Sequence, residues 1–174
     1  IWTGAFFADL AKENTRRIPN TDALRRYMEN PKSAYPPLVA YAEALEIRHR
    51  FFHWPLEFPE VFFGEKHPER SEVSLVGFDI IFCNPPWERI KLQEQEFFAS
   101  KDPEIANAPN KSARQRLIQR LPESNPALWN EYQQALHEAD AQSKFLRHSE
   151  RFKLTARGDI NTYSVFAELF TNLI

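Results

Sequence analysis

Apolar positions change their spacing several times along this chain, and each change marks an element. Trp2, Phe6 and Leu10 recur at every fourth residue, the repeat of one helix face. Thr21 stands as a cap before a second helix carrying Leu24, Tyr27 and Met28. Pro36 and Pro37 open a stronger helix, with Leu38, Tyr41, Ala42, Leu45 and Phe52 along one stripe. Pro55 and Pro59 bracket a short extended piece, Leu56 to Phe58, which Val61 to Phe63 continue. The charged residues over 64–72, with Gly64 and Pro68, read as a surface loop.

The pattern then changes kind. From Phe78 to Cys83 nothing polar follows Asp79, and Ile80, Ile81 and Phe82 stand together. Such a run predicts a strand buried on both faces. Asn84-Pro85-Pro86 must end it, because proline cannot donate to a sheet ladder and pushes the residue before it out of helical geometry. A helix is expected from Trp87 or Glu88 to about Ala99. Pro103, Pro109, Pro122 and Pro126 punctuate the next stretch, around a basic helix from Lys111 to Arg120 that Asn110 caps. Pro126 starts a long helix with Leu128, Tyr132, Ala135, Leu136, Ala139, Phe145 and Leu146 on one side. A last helix begins near Gly158-Asp159, capped by Asp159 or Asn161, and carries Tyr163, Phe166, Phe170 and Leu173. This order fits part of an α/β sheet protein, with a helical insertion over about 100–157.

Composition narrows the classes. With 174 residues, 43% of them hydrophobic and 14% aromatic, the chain can bury a real core. It starts at Ile1 and its apolar helical pattern runs to Ile174, so we expect a fragment of a longer protein. No apolar run approaches the roughly 20 residues that span a bilayer, and no membrane association is expected. Cys83 is the single cysteine, which excludes an internal disulfide and fits a reducing, cytoplasmic setting. The net charge of −2 gives no global pull toward nucleic acid. Only four glycines occur and no Gly-x-Gly pair, so a glycine-rich nucleotide loop is missing.

The chemistry concentrates in Asn84-Pro85-Pro86-Trp87, at the carboxyl end of the expected strand, where open α/β sheets bind ligands. The Asn84 carboxamide oxygen and the Pro85 carbonyl can each accept a hydrogen bond from an exocyclic amine. Two acceptors on one amine draw its nitrogen toward tetrahedral geometry and make the lone pair nucleophilic. The prolines fix φ near about −65° and hold the acceptors in place. Trp87 offers a face for stacking, worth ~1–3 kcal/mol per base. The bland alternative is that Asn-Pro-Pro is a turn and Trp87 packs in the core; the preceding apolar run and the aromatic in fourth place tip the balance toward a site.

The tetrapeptide resembles motif IV of the amino-methyltransferases. The wider context is similar to the large N6-adenine DNA methyltransferases of type IIG restriction–modification and related phage-defence systems. Three stretches carry that resemblance: Phe51 to Phe62, Gly77 to Gln93 (with Trp87-Glu88-Arg89-Ile90-Lys91-Leu92), and Gly158 to Leu169 (with Asn161-Thr162-Tyr163-Ser164). Together they span residues from about 38 to the end. The resemblance implies a partial Rossmann-like fold, S-adenosylmethionine as methyl donor, and double-stranded DNA from which an adenine is flipped out. It implies that Asn84 and the Pro85 carbonyl hold N6, with Pro86 completing the motif, and that Trp87 stacks on the base. Asn161 and Tyr163 become candidates for the donor or base pocket. The family's glycine-rich donor loop and its target-recognition domain are absent here, so the fragment is not expected to act alone. A nuclease or helicase partner or fused domain is compatible with such systems.

Rival readings remain. The same tetrapeptide serves methyltransferases of protein glutamine amides and of RNA amines, and a non-catalytic scaffold would use it as a turn. Cys83, inside the apolar run, reads as a buried structural thiol. His49, His53, His67, His137 and His148 lack metal-ligand spacing, and no metal is expected. Lys111, Arg114, Arg116 and Arg120 form a small basic face, solvated or in contact with phosphate. Glu57 and Glu60 suggest no paired-carboxylate chemistry.

Overall fold

Asparagine caps and helix-opening prolines set most of the element boundaries. The structure, a computed structural model, describes residues 2–9, 17–18, 20–63 and 77–174. Short helices come first: α1 (Trp2–Phe7), α2 (Thr21–Glu29), α3 (Pro36–His49), α4 (Trp54–Glu57) and α5 (Pro59–Phe63). An irregular stretch leads to α6 (Glu94–Ala99), α7 (Pro103–Ala106), α8 (Lys111–Ile118), α9 (Leu121–Ser124), α10 (Pro126–His148) and α11 (Thr162–Leu173). Asn20, Asn110 and Asn125 each accept from the backbone N–H three residues on, and Asp102 from those of Glu104 and Ile105. These bonds satisfy amides that a helix start leaves without partners.

Two apolar clusters hold the helices together. In the first, Phe98 is wholly buried among Ile105, Ile118, Leu121, Leu128 and Tyr132, which joins α6 to α10. Removing such a ring from water contributes about 1.5–3 kcal/mol. A polar seam runs beside it: Glu94 accepts from Gln115 at 2.6 Å and from Tyr132 at 3.1 Å, and buried Arg114 faces the same carboxylate at 3.8 Å. The second cluster gathers Leu146, Phe152, Ala156, Ile160 and Val165 between α10 and α11. Helix α3 buries Leu38, Ala42 and Leu45, three residues of its expected stripe. Phe6 and Phe7 of α1 meet Phe145 of α10, and Arg48 of α3 reaches Glu138 of α10 at 2.6 Å.

The α/β expectation is overturned. Among the described residues there is no sheet, only an isolated antiparallel bridge between Arg89 and Asn161. The described residues are helical, without a Rossmann-like architecture. Residues 80–84 have no regular secondary structure, and no described backbone group pairs with them. Ile80 is 81% exposed and Phe82 99%. A β-branched run has the propensity for a strand, but propensity becomes a strand only against a neighbour's N–H and C=O groups. Cys83 is therefore exposed, not the buried thiol expected.

Smaller corrections share one cause, that local signals are read differently by the surroundings. Leu56 to Phe58 and Val61 to Phe63 fall mostly in helices, with Pro55 and Pro59 in first turns, where a missing N–H costs nothing. The helix expected at Trp87 begins only at Glu94, because residues 88–90 are held extended against 160–162. Asn20, not Thr21, caps α2. Leu10 and the charged loop over 64–72 lie outside the described residues. Caps at Asn110 and Asn161, and the starts at Pro36 and Pro126, stand as expected.

Candidate functional site

Three hydrogen bonds fix the segment that carries the motif. The Thr162 hydroxyl donates to the Pro86 carbonyl at 2.6 Å and accepts from the Glu88 N–H at 2.9 Å. The Thr162 N–H donates to the Glu88 carbonyl at 2.9 Å. Two residues on, the Ile90 N–H donates to the Ile160 carbonyl at 3.0 Å. The start of α11 is thus the template on which Pro86 to Ile90 lie. At the other end of that helix, the Phe78 N–H donates to the Leu173 carbonyl at 2.7 Å. Phe78 is gripped edge-on by Trp54, Phe58 and Phe62. The apolar run is therefore pinned on both sides while its middle stands free.

This geometry leaves Asn84 and Trp87 at the surface, with Pro85 half-buried between them. Asn84 is exposed, and no described group hydrogen-bonds its carboxamide or the Pro85 carbonyl. Trp87 is 76% exposed. Its indole stacks on Tyr163, with ring centroids 5.3 Å apart and planes 24° from parallel. Beside it opens a groove of about 670 Å³, walled by Trp87, Arg89, Lys91, Gln93 and Phe97 among others. Exposed Asn84 and half-buried Pro85 thus precede an exposed aromatic face in the chain, and the groove opens on the Trp87 side of the motif.

The other sequence candidates separate. Asn161 spends its side-chain oxygen on the Tyr163 N–H as a helix cap. Tyr163 joins the motif as the second ring of the stack. Lys111, Arg116 and Arg120 are exposed but Arg114 is buried against Glu94, so the basic face holds one residue fewer than the sequence suggested. His49 sits between Phe7 and Phe51, where burial, then the neighbouring Arg48 charge, lowers its pKa below the usual 6.5. Burial, then Arg151, does the same at His53. No group of three metal-ligating side chains occurs among the described residues. None of their helices is long and apolar enough to cross a membrane. Thr162 was not singled out in the sequence; its only signal is a hydroxyl directly after a capping asparagine. Arg89, Lys91 and Gln93 were also passed over, though alternate polar residues directly after Trp87 foreshadow one wall of a groove.

The cavity between α10 and α11 does not fit S-adenosylmethionine. An adenosine and a sulfonium need acceptors around them, yet the cavity behind the motif, about 250 Å³ between α10 and α11, is lined almost wholly by apolar side chains such as Phe145, Phe152, Val165 and Phe166. Asn161, which could have supplied an acceptor, is occupied as a cap. Comparison with family models, curated proteins and solved structures finds no match.

Proposed function

We propose that this chain carries the acceptor-amine rim of a methyltransferase acting on N6 of adenine in double-stranded DNA, in a restriction–modification or phage-defence setting. The observation that supports it is that neither the exposed Asn84 carboxamide nor the Pro85 carbonyl has a hydrogen-bond partner among the described residues, three and two positions before the exposed indole of Trp87. Buried polar groups without partners are rare, and exposed ones held rigid by two prolines are prepared for an external donor. An exocyclic NH2 has two donors to match two acceptors. The indole takes the ring that carries it. The methyl donor implied by the resemblance, S-adenosylmethionine, would be held by residues other than those described, and the chain's share is to hold and orient the base.

The test is N6-methyladenine in DNA from cells that express the protein carrying this chain, measured by nucleoside mass spectrometry. Asn84→Ala should abolish the modification while leaving the melting temperature unchanged. Methyladenine that persists in Asn84→Ala overturns the reading. Methylation found on protein glutamine or on RNA, and not on DNA, transfers the rim to that substrate. Methylation of none of them assigns the motif to a scaffold.

A further inference from the structure

We propose that Tyr163 is a positioning residue that backs the indole of Trp87, so that a neutral nucleobase is received on the indole face that Tyr163 leaves free, at the groove walled by Gln93 and Phe97. The inference rests on the acceptor-rim reading above and deepens it by naming which face takes the base and what sets that face.

The stack decides the side. Centroids 5.3 Å apart leave no space for a third ring between Trp87 and Tyr163, which would need about 7 Å, twice an ordinary carbon–carbon contact. A ligand must therefore lie on the outer side of the pair. The groove has Trp87 in its wall but not Tyr163. Tyr163 itself is fixed at the first turn of α11, where Asn161 accepts from its N–H and Thr162 beside it holds both flanks of Trp87. The indole's tilt is thus set from one short segment, Asn161-Thr162-Tyr163.

Charge decides the ligand. Arg89 and Lys91 in the groove wall are matched by Glu88 and Glu96, and Arg89 also lies 3.8 Å from Asp159. A balanced wall does not favour a free nucleoside polyphosphate. It suits an uncharged heterocycle, with Gln93 and Phe97 completing the wall.

The experiment uses a short oligothymidylate carrying a single 2-aminopurine, whose fluorescence is quenched on stacking. The protein should quench it, and Trp87→Ala should lose the quench. Tyr163→Phe keeps the backing ring and should match the parent. Tyr163→Leu keeps apolar bulk without the plane and should weaken binding by about three- to tenfold, the worth of one aromatic pair. Rescue by phenylalanine but not leucine is a result that space filling alone does not give. Tyr163→Leu equal to the parent overturns the backing role. No quenching by the parent overturns the groove as a nucleobase site, whereas the Asn84 reading is judged separately by methyladenine in DNA.

Discussion

The Thr162 hydroxyl donates to the Pro86 carbonyl and accepts from the Glu88 N–H, so a single side chain holds the backbone on both sides of Trp87. These two residues lie 76 positions apart in sequence, and the rim exists only because α11 brings them together. A β-branched residue also limits its own rotamers, which keeps the oxygen aimed.

Thr162→Val keeps that branched shape and removes both bonds. The expected loss is about 1 kcal/mol for each bond, read as a lower denaturant midpoint. Thr162→Ser retains the hydroxyl and should lose less. Equal midpoints for the valine variant and the parent would show that the rim is held by other contacts.

Gly77 makes a second clamp possible. A Cβ there would lie 2.5 Å from the Leu173 carbonyl oxygen and 2.7 Å from that of Ile174. Those are backbone atoms that cannot step aside cheaply. Gly77→Ala should push the segment off the end of α11 and break the bond from the Phe78 N–H to Leu173. The expected cost is about 1–3 kcal/mol, typical of overpacking, together with faster hydrogen exchange at the Phe78 amide. Unchanged exchange there would mean that the clamp tolerates a methyl group.

Helix periodicity, asparagine caps and prolines were legible in the sequence because each acts within a few residues. Pro36, Asn110, Pro126 and Asn161 mark real boundaries for that reason. The stretch from Phe78 to Cys83 was misread because a strand is a relation between segments, and no described segment forms a ladder with it; the backbone bond from Phe78 to Leu173 goes to a helix end. Similarly, Trp87 was legible as a candidate from its place after Pro85-Pro86, but its partner Tyr163 and its latch Thr162 are tertiary neighbours. Arg114 looked like one more cation on a basic face. Only the packing of α8 against α6 reveals that it is buried and turned to Glu94.

Tyr132 should give the protein an alkaline signature. It is buried and donates to Glu94, and burial, followed by the Glu94 charge and hydrogen bond, pushes its pKa up to about 12. In the unfolded chain it ionises near 10.0. Between those values the folded state keeps a proton that the unfolded state has lost, so stability falls as pH rises across the window. Tyr132→Phe cannot ionise and should flatten that part of the urea-midpoint profile. A slope identical to the parent's would place the alkaline sensitivity elsewhere.

Glu168 should set the acid limit. Its carboxylate, buried on α11, accepts from the Leu154 N–H at 3.0 Å, the Thr155 N–H at 2.9 Å and the Thr155 hydroxyl at 2.6 Å. Burial alone would raise its pKa, but the bonds from Thr155, Leu154 and Lys153 outweigh it and hold the group below its usual 4.5. A carboxyl with a lowered folded pKa adds stability above its unfolded value, and that contribution disappears as pH falls through the folded one. Glu168→Gln replaces an acceptor oxygen with an NH2 group that faces donors. At neutral pH it should cost about 2–3 kcal/mol, the range for bonds to a charged group. The difference from the parent should shrink toward zero in acid, where the parent's carboxyl is itself protonated. Melting temperatures of the two proteins across the acid range make the comparison. A gap that stays constant with pH would mean that the loop over 153–156 is held by shape and not by this charge.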